Sequence, residues 1–180
     1  MSNNLLAKHL RSGVYNVIVS DGHGCKDSLG FIIPQSAPLA AMIFSENVKC
    51  YGAGNGLLYA DIGGGTPPYS CLWSDGQFAD TAVNLQPGTY WATITDKSNC
   101  ISKVSGIISE PDSISINLLA QDATCQTCAN GSIVSTISGG VPPYSYTWYP
   151  SNPSTSTINN LLPGSYQLCL TDASFCNNCK

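Results

Sequence analysis

Apolar and polar residues alternate at every second position through most of this chain. Between residues 38 and 111, Leu58, Ala60 and Ile62 share one face of a run. Tyr69, Cys71 and Trp73 alternate with Ser70, Leu72 and Ser74, and Tyr90, Ala92 and Ile94 alternate with Trp91, Thr93 and Thr95. A period of two puts successive side chains on opposite faces of an extended strand. Residues 40–44, 81–85 and 101–109 read as further strands. Asn55-Gly56, Ser74-Asp75-Gly76, Pro87-Gly88 and residues 96–99 supply the turns between them. The segment reads as seven short strands and no helix, a density that suggests a sandwich or a barrel.

Two aromatic positions favour the sandwich. Tyr90 starts a strand directly after the tight turn Leu85-Gln86-Pro87-Gly88-Thr89, the setting of a tyrosine corner, and Trp73 on the third strand would fill the middle of the same core. Both recur. Gly64-Gly65-Thr66-Pro67-Pro68-Tyr69 returns as Gly139-Gly140-Val141-Pro142-Pro143-Tyr144, Trp73 returns as Trp148, and Tyr90 returns as Tyr166 after Leu162-Pro163-Gly164-Ser165. A fixed period of 75 to 76 residues (64 to 139, 90 to 166) marks one structural module copied in tandem. The expected fold is all-β: tandem immunoglobulin-like β-sandwich modules behind a truncated N-terminal one. Residues 1–37 match only the end of a module, residues 38–111 are complete, and residues 112–180 stop where the last strand should start.

Composition narrows the setting. Charged residues are only 10% of the 180, and the net charge is −4, which argues against nucleic acid because phosphate binding needs clustered Lys and Arg. No apolar run approaches the ~18 residues of a membrane span. The N-terminal MSNNLLAKHL lacks the apolar centre and cleavage site of a secretory signal. Nine cysteines are many, and their positions follow the repeat: Cys25, Cys100 and Cys176 match one another, and Cys50 matches Cys125. Repeat-locked cysteines in a weakly charged, turn-rich chain favour an oxidising, extracellular setting.

The pattern resembles the SprB-type repeat of large surface adhesins from gliding bacteria. The resemblance rests on Cys125 with Asn130-Gly131-Ser132-Ile133, on Ser138 through Trp148 with its Gly-Gly-Val-Pro-Pro-Tyr core, on Leu162 to Tyr166, on Thr171-Asp172 and on Cys176, with matching places between residues 50 and 100. It implies an exported, cell-surface, non-catalytic module and no catalytic residues. Cys71, Cys128, Cys169 and Cys179 depart from it as extra thiols.

The only histidines, His9 and His23, recur in neither later module, and His23 sits in a plain Asp-Gly-His-Gly turn, so no enzyme is expected. Cys125-Gln126-Thr127-Cys128 and Cys176-Asn177-Asn178-Cys179 could be zinc pairs, but 47 residues separate them, far beyond a ribbon's usual ~15–20. Disulfides are the better reading for Cys25, Cys50, Cys100, Cys125, Cys128, Cys176 and Cys179, and no metal or cofactor is expected. A strand of about eight residues spans roughly 26 Å, whereas bridged Cα atoms lie within ~7 Å. Cys50–Cys100 is therefore awkward unless the first connection folds back, and end-to-end stacking favours Cys50–Cys176. Cys71 falls in register with Trp73 and should be a buried thiol. Cys169 should point outward, placed to link molecules. Asp21, Asp96 and Asp172 share one place but lack the oxygen density calcium needs, and an Asx turn explains them.

Two functions follow. The first is an extracellular rod or filament whose partners are neighbouring repeats or further copies of itself. The uncovered Val17, Val19, Phe31 and Ile33 of the first unit would complete the unfinished last module of another copy by strand addition, and a cut from a longer polypeptide is the equal alternative for both edges. The second is a carbohydrate-binding module using the outward Trp91 and Tyr59 on surface glycans, although Gln167 and Val134 replace them in the next module.

Overall fold

The structure, a computed structural model, describes residues 6–150 and 153–180. Residues 1–5, the start of the stretch read above as lacking a secretory signal, lie outside them. All regular structure among the described residues is β. The first unit is a single antiparallel ribbon of β1 (Gly13–Ser20) and β2 (Lys26–Ile33).

Each of the two modules that follow stacks one three-stranded sheet on another. In the first, β3 (Ala40–Glu46), β4 (Gly56–Gly63) and β6 (Thr81–Leu85) lie in the order β3-β4-β6, and β5 (Ser70–Trp73), β7 (Gly88–Thr95) and β8 (Ile101–Ile108) in the order β5-β7-β8. The second repeats the plan. Its β9 (Ser115–Gln121), β10 (Gly131–Ser138) and β12 (Thr157–Leu161) form one sheet, and β11 (Ser145–Tyr149), β13 (Gln167–Thr171) and β14 (Asn177–Cys179) form the other. The chain is an all-β tandem of immunoglobulin-like sandwiches.

The expectation of seven strands needs correcting to six. Only residues 74–80 join β5 to β6, too few to turn, form a strand and turn again. The Gln77 side chain stands in for the absent strand. Its amide donates to the Val83 carbonyl at 2.9 Å and accepts from the Val83 N–H at 3.0 Å, so one side chain occupies the hydrogen-bonding edge that a neighbouring strand would otherwise take.

The alternation seen in the sequence becomes the core. Leu58, Ala60, Trp73, Ala82, Leu85, Ala92, Ile94 and Ile108 are buried in the first module, and Ile116, Trp148, Ile158, Leu168 and Leu170 in the second. Each central indole N–H donates to a carbonyl at 2.9 Å, Trp73 to Ala79 and Trp148 to Thr155, so neither ring buries an unmet donor. Tyr90 and Tyr166 each donate their hydroxyl to the carbonyl four residues back, Gln86 and Leu162, both at 3.0 Å. Tyr15 does the same to Arg11 at 2.8 Å, which gives three tyrosine corners in one chain.

The last strand of the second module, expected to be missing, is present in shortened form. β14 pairs Cys179, Asn178 and Asn177 with Cys169, Leu170 and Thr171, whereas β8 covers all of β7. In the first module Gly106, Ile107 and Ile108 continue the last strand past that length, and Ile108 is a core residue at 2% exposure. At the matching place in the second module, an open cavity of about 430 Å³ lies beside Gly131, Leu161 and Tyr166.

Candidate functional site

The chemistry of the chain gathers at the leading end of each module, where three segments meet. The Gly-Gly-x-Pro-Pro-Tyr loop is closed by its own tyrosine: Tyr69 donates to the Gly64 carbonyl at 2.6 Å and Tyr144 to Gly139 at 2.7 Å. Gly64 and Gly139 have φ of 68° and 72°, and a Cβ on either would run into the carbonyl oxygen of Pro38 or Ser113. Glycine is therefore demanded twice over, by the left-handed backbone and by contact with the incoming linker.

A buried aspartate ties this loop to the turn before the last strand. Asp96 Oδ1 accepts from the N–H groups of Ser98 and Cys100, and its Oδ2 accepts from Thr66, all at 2.8 Å. Asp172 repeats the pattern with Ser174, Cys176 and Val141. The Asx turn read from the sequence thus carries a third bond across the module end. Burial alone would raise both carboxyls, but the three N–H donors outweigh it and hold each below the usual carboxylate range. A carboxyl lowered on folding stabilises the fold above its unfolded value (~3.9), and that stability is lost as pH falls through the lower folded value. Asp96→Asn should therefore lower the melting temperature at pH 7, and its deficit against wild type should shrink as the wild-type carboxylate is protonated. Thermal unfolding of both chains between pH 7 and pH 2 checks this.

The two modules are joined through this end. Cys50, in the β3–β4 connection of the first, is bonded to Cys176, in the β13–β14 turn of the second, with Cα atoms 5.6 Å apart. Gly52, two residues from Cys50, donates its N–H to Glu110 Oε2 at 2.7 Å and so ties the same loop to the linker. A cavity of about 490 Å³ opens between Cys50, Tyr51, Pro111, Asp112, Phe175 and Cys176. Phe175 is unusual there: it is 84% exposed with φ of 64°, at the place where Asn99 and Gly24 occupy the same left-handed conformation.

The SprB repeat family model matches residues 43–78 and 120–153. Both matches begin in or at the end of a module's first strand and run past its Gly-Gly-x-Pro-Pro-Tyr loop and core tryptophan. One segment in each module is thus similar to the SprB repeat. No curated protein matches it. Among solved structures, the crystal structure of the N-terminal eight Ig domains of Down Syndrome Cell Adhesion Molecule aligns with 94% of this chain and 27% of that one, at 11% identity and a TM-score of 0.48.

The remaining cysteines fall within and around the two modules. Cys125 bonds Cys128 within one loop, and Cys169 bonds Cys179 across β13 and β14. The second pair corrects the expectation that Cys169 is placed to link molecules: its cross-strand neighbour lies on the shortened last strand, which the sequence reading left out. Cys176 and Cys179 are likewise not joined to each other. Cys25 and Cys100, both disulfide candidates, are exposed free thiols. Each occupies the place of Cys176, but the described chain has no preceding β3–β4-type loop to offer a partner. Cys71 is buried. Burial, and then the Asp80 carboxylate, push its thiol above the ordinary value, so it stays protonated and inert.

Trp91 and Tyr59 are exposed, at 56% and 40%, and lie on β7 and β4, in opposite sheets of the first module. Tyr59 stacks on Phe44 with ring centroids 6.5 Å apart. His9 and His23 are exposed. Among the described residues no three His, Cys, Asp or Glu side chains gather as a metal site would require, and no helix is long and apolar enough to cross a membrane.

Proposed function

We propose that this chain is a non-catalytic, extracellular segment of an adhesive rod or filament at the cell surface. The observation that carries the reading is the covalent junction between consecutive SprB repeats, Cys50 to Cys176. Fixing the angle between repeats suits a spacer, because it keeps a distant surface at a defined reach. SprB repeats are structural units of adhesin-type surface proteins, which supports the same reading, and disulfides persist in an oxidising, extracellular compartment.

We further propose that copies assemble head to tail by strand complementation. The ribbon β1–β2 matches β7–β8 residue for residue, yet its core face is bare: Val17 is 47% exposed, Val19 64% and Leu29 71%. The open cavity beside Gly131, Leu161 and Tyr166 lacks the residues that Gly106, Ile107 and Ile108 supply in the first repeat. In the ribbon, Phe31, Ile32 and Ile33 stand at those three places. The donated end would extend the β13 side of the sheet beyond Lys180 and set Ile33 where Ile108 sits. Such contacts are heterologous and build an open fibre.

Light scattering on size-exclusion fractions of the full chain, with electron microscopy, tests this. Mass should rise with concentration, and Ile33→Asp should return the chain to monomer at least tenfold further up the concentration range. A wild type that stays monomeric at the highest concentration overturns the assembly.

A further inference from the structure

The structure contains one completed inter-repeat bridge and both halves of another. Cys100 is placed as Cys176 is: each backbone N–H donates to Oδ1 of the aspartate four residues earlier, at 2.8 Å to Asp96 and 2.9 Å to Asp172. Cys125 is placed as Cys50 is. Each carbonyl accepts from the N–H three residues on, Ala53 at 3.0 Å and Cys128 at 3.1 Å. Cys50 and Cys176 are bonded, whereas Cys100 is a free, exposed thiol. Cys125 is held in a local disulfide with Cys128, at the position where the first repeat has Ala53.

We propose that Cys100 of one copy bonds Cys125 of a second copy, by exchange with the Cys125–Cys128 disulfide, and so locks a head-to-tail assembly covalently. The placement rests on the strand-complementation reading. β2 leads through residues 34–39 into β3 as β8 leads through residues 109–114 into β9. If the second repeat of another copy completes the first unit, its Cys125 stands to Cys100 as Cys50 stands to Cys176. Simple end-to-end stacking, without strand donation, would bring Cys125 to Cys25 instead.

The step balances without an added oxidant. Cys100 loses its proton and its thiolate attacks Sγ of Cys125. The Cys100–Cys125 bond forms as the Cys125–Cys128 bond breaks, and Cys128 leaves as a thiolate that takes up a proton. One disulfide and one thiol are present before and after. Cys128 thus stores the oxidising equivalent for the junction until a partner docks.

Non-reducing electrophoresis, peptide mass mapping and light scattering on the assembled full chain test the proposal. The expected result is a ladder that reductant collapses, a peptide pair joining Cys100 to Cys125, and one new alkylatable thiol, Cys128, per link. Cys100→Ser should abolish the ladder while light scattering still finds the non-covalent assembly, and Cys25→Ser should leave the ladder unchanged. Assembly with Cys125–Cys128 intact overturns the exchange and leaves strand complementation standing. Cys25–Cys125 links overturn both the proposed pairing and the strand-donated docking. A chain that stays monomeric by light scattering overturns both as well.

Discussion

Trp148→Ala is expected to cost about 3–5 kcal/mol and to unfold the second module ahead of the first. Trp148 is fully buried, so the substitution opens a cavity and leaves the Thr155 carbonyl without its indole donor. The second repeat is the more vulnerable one, because six buried residues form its core against ten in the first. A domain's whole stability is commonly only about 5–15 kcal/mol. Urea unfolding followed by circular dichroism should split into two transitions, and the later one should be reported by Trp73 fluorescence. A midpoint within experimental error of wild type would mean that Trp148 does not anchor that core.

Cys50→Ser should be nearly as costly, for a different reason. The bridge to Cys176 closes a loop of 126 residues in sequence, and the chain-entropy account assigns such a loop about 4–5 kcal/mol through the unfolded state. The loss should appear in global unfolding of the non-reduced protein by calorimetry. Cys50→Ser combined with Cys176→Ser should lose no more than either alone, since both remove one bond. If the single variants melt with wild type, the junction does not restrain the unfolded chain.

Much of this architecture was legible in the sequence because its signals are local. Period-two alternation set the strands, and Pro-Gly before Tyr90 and Tyr166 set the corners. The Gly-Gly-x-Pro-Pro-Tyr loop could be read because only glycine tolerates its backbone. What was misread depended on partners distant in sequence. A count of seven exceeds the six runs that the alternation marks, and nothing in residues 74–80 announces that Gln77 will bond the edge of β6. Parity places Cys169 toward solvent, because it gives the face of a strand but not its cross-strand neighbour Cys179. Cys179 had no strand to belong to until the structure paired Asn177–Cys179 with β13. The triple-bonded Asp96 was seen only as half of itself: an Asx turn is written in four residues, but its third donor, Thr66, comes from 30 residues away.

The bridge between repeats also decides what happens when the chain is pulled at its two ends. Tension entering near β3 crosses from Cys50 directly to Cys176 and bypasses everything between them. Roughly 400 Å of potential extension, at about 3.3–3.6 Å per residue, is withheld while that bond lasts. Stretching then draws out only what lies outside the bridge, the β1–β2 ribbon and β3 among it, and the strands from β4 to β13 lie on a slack side branch of the load path.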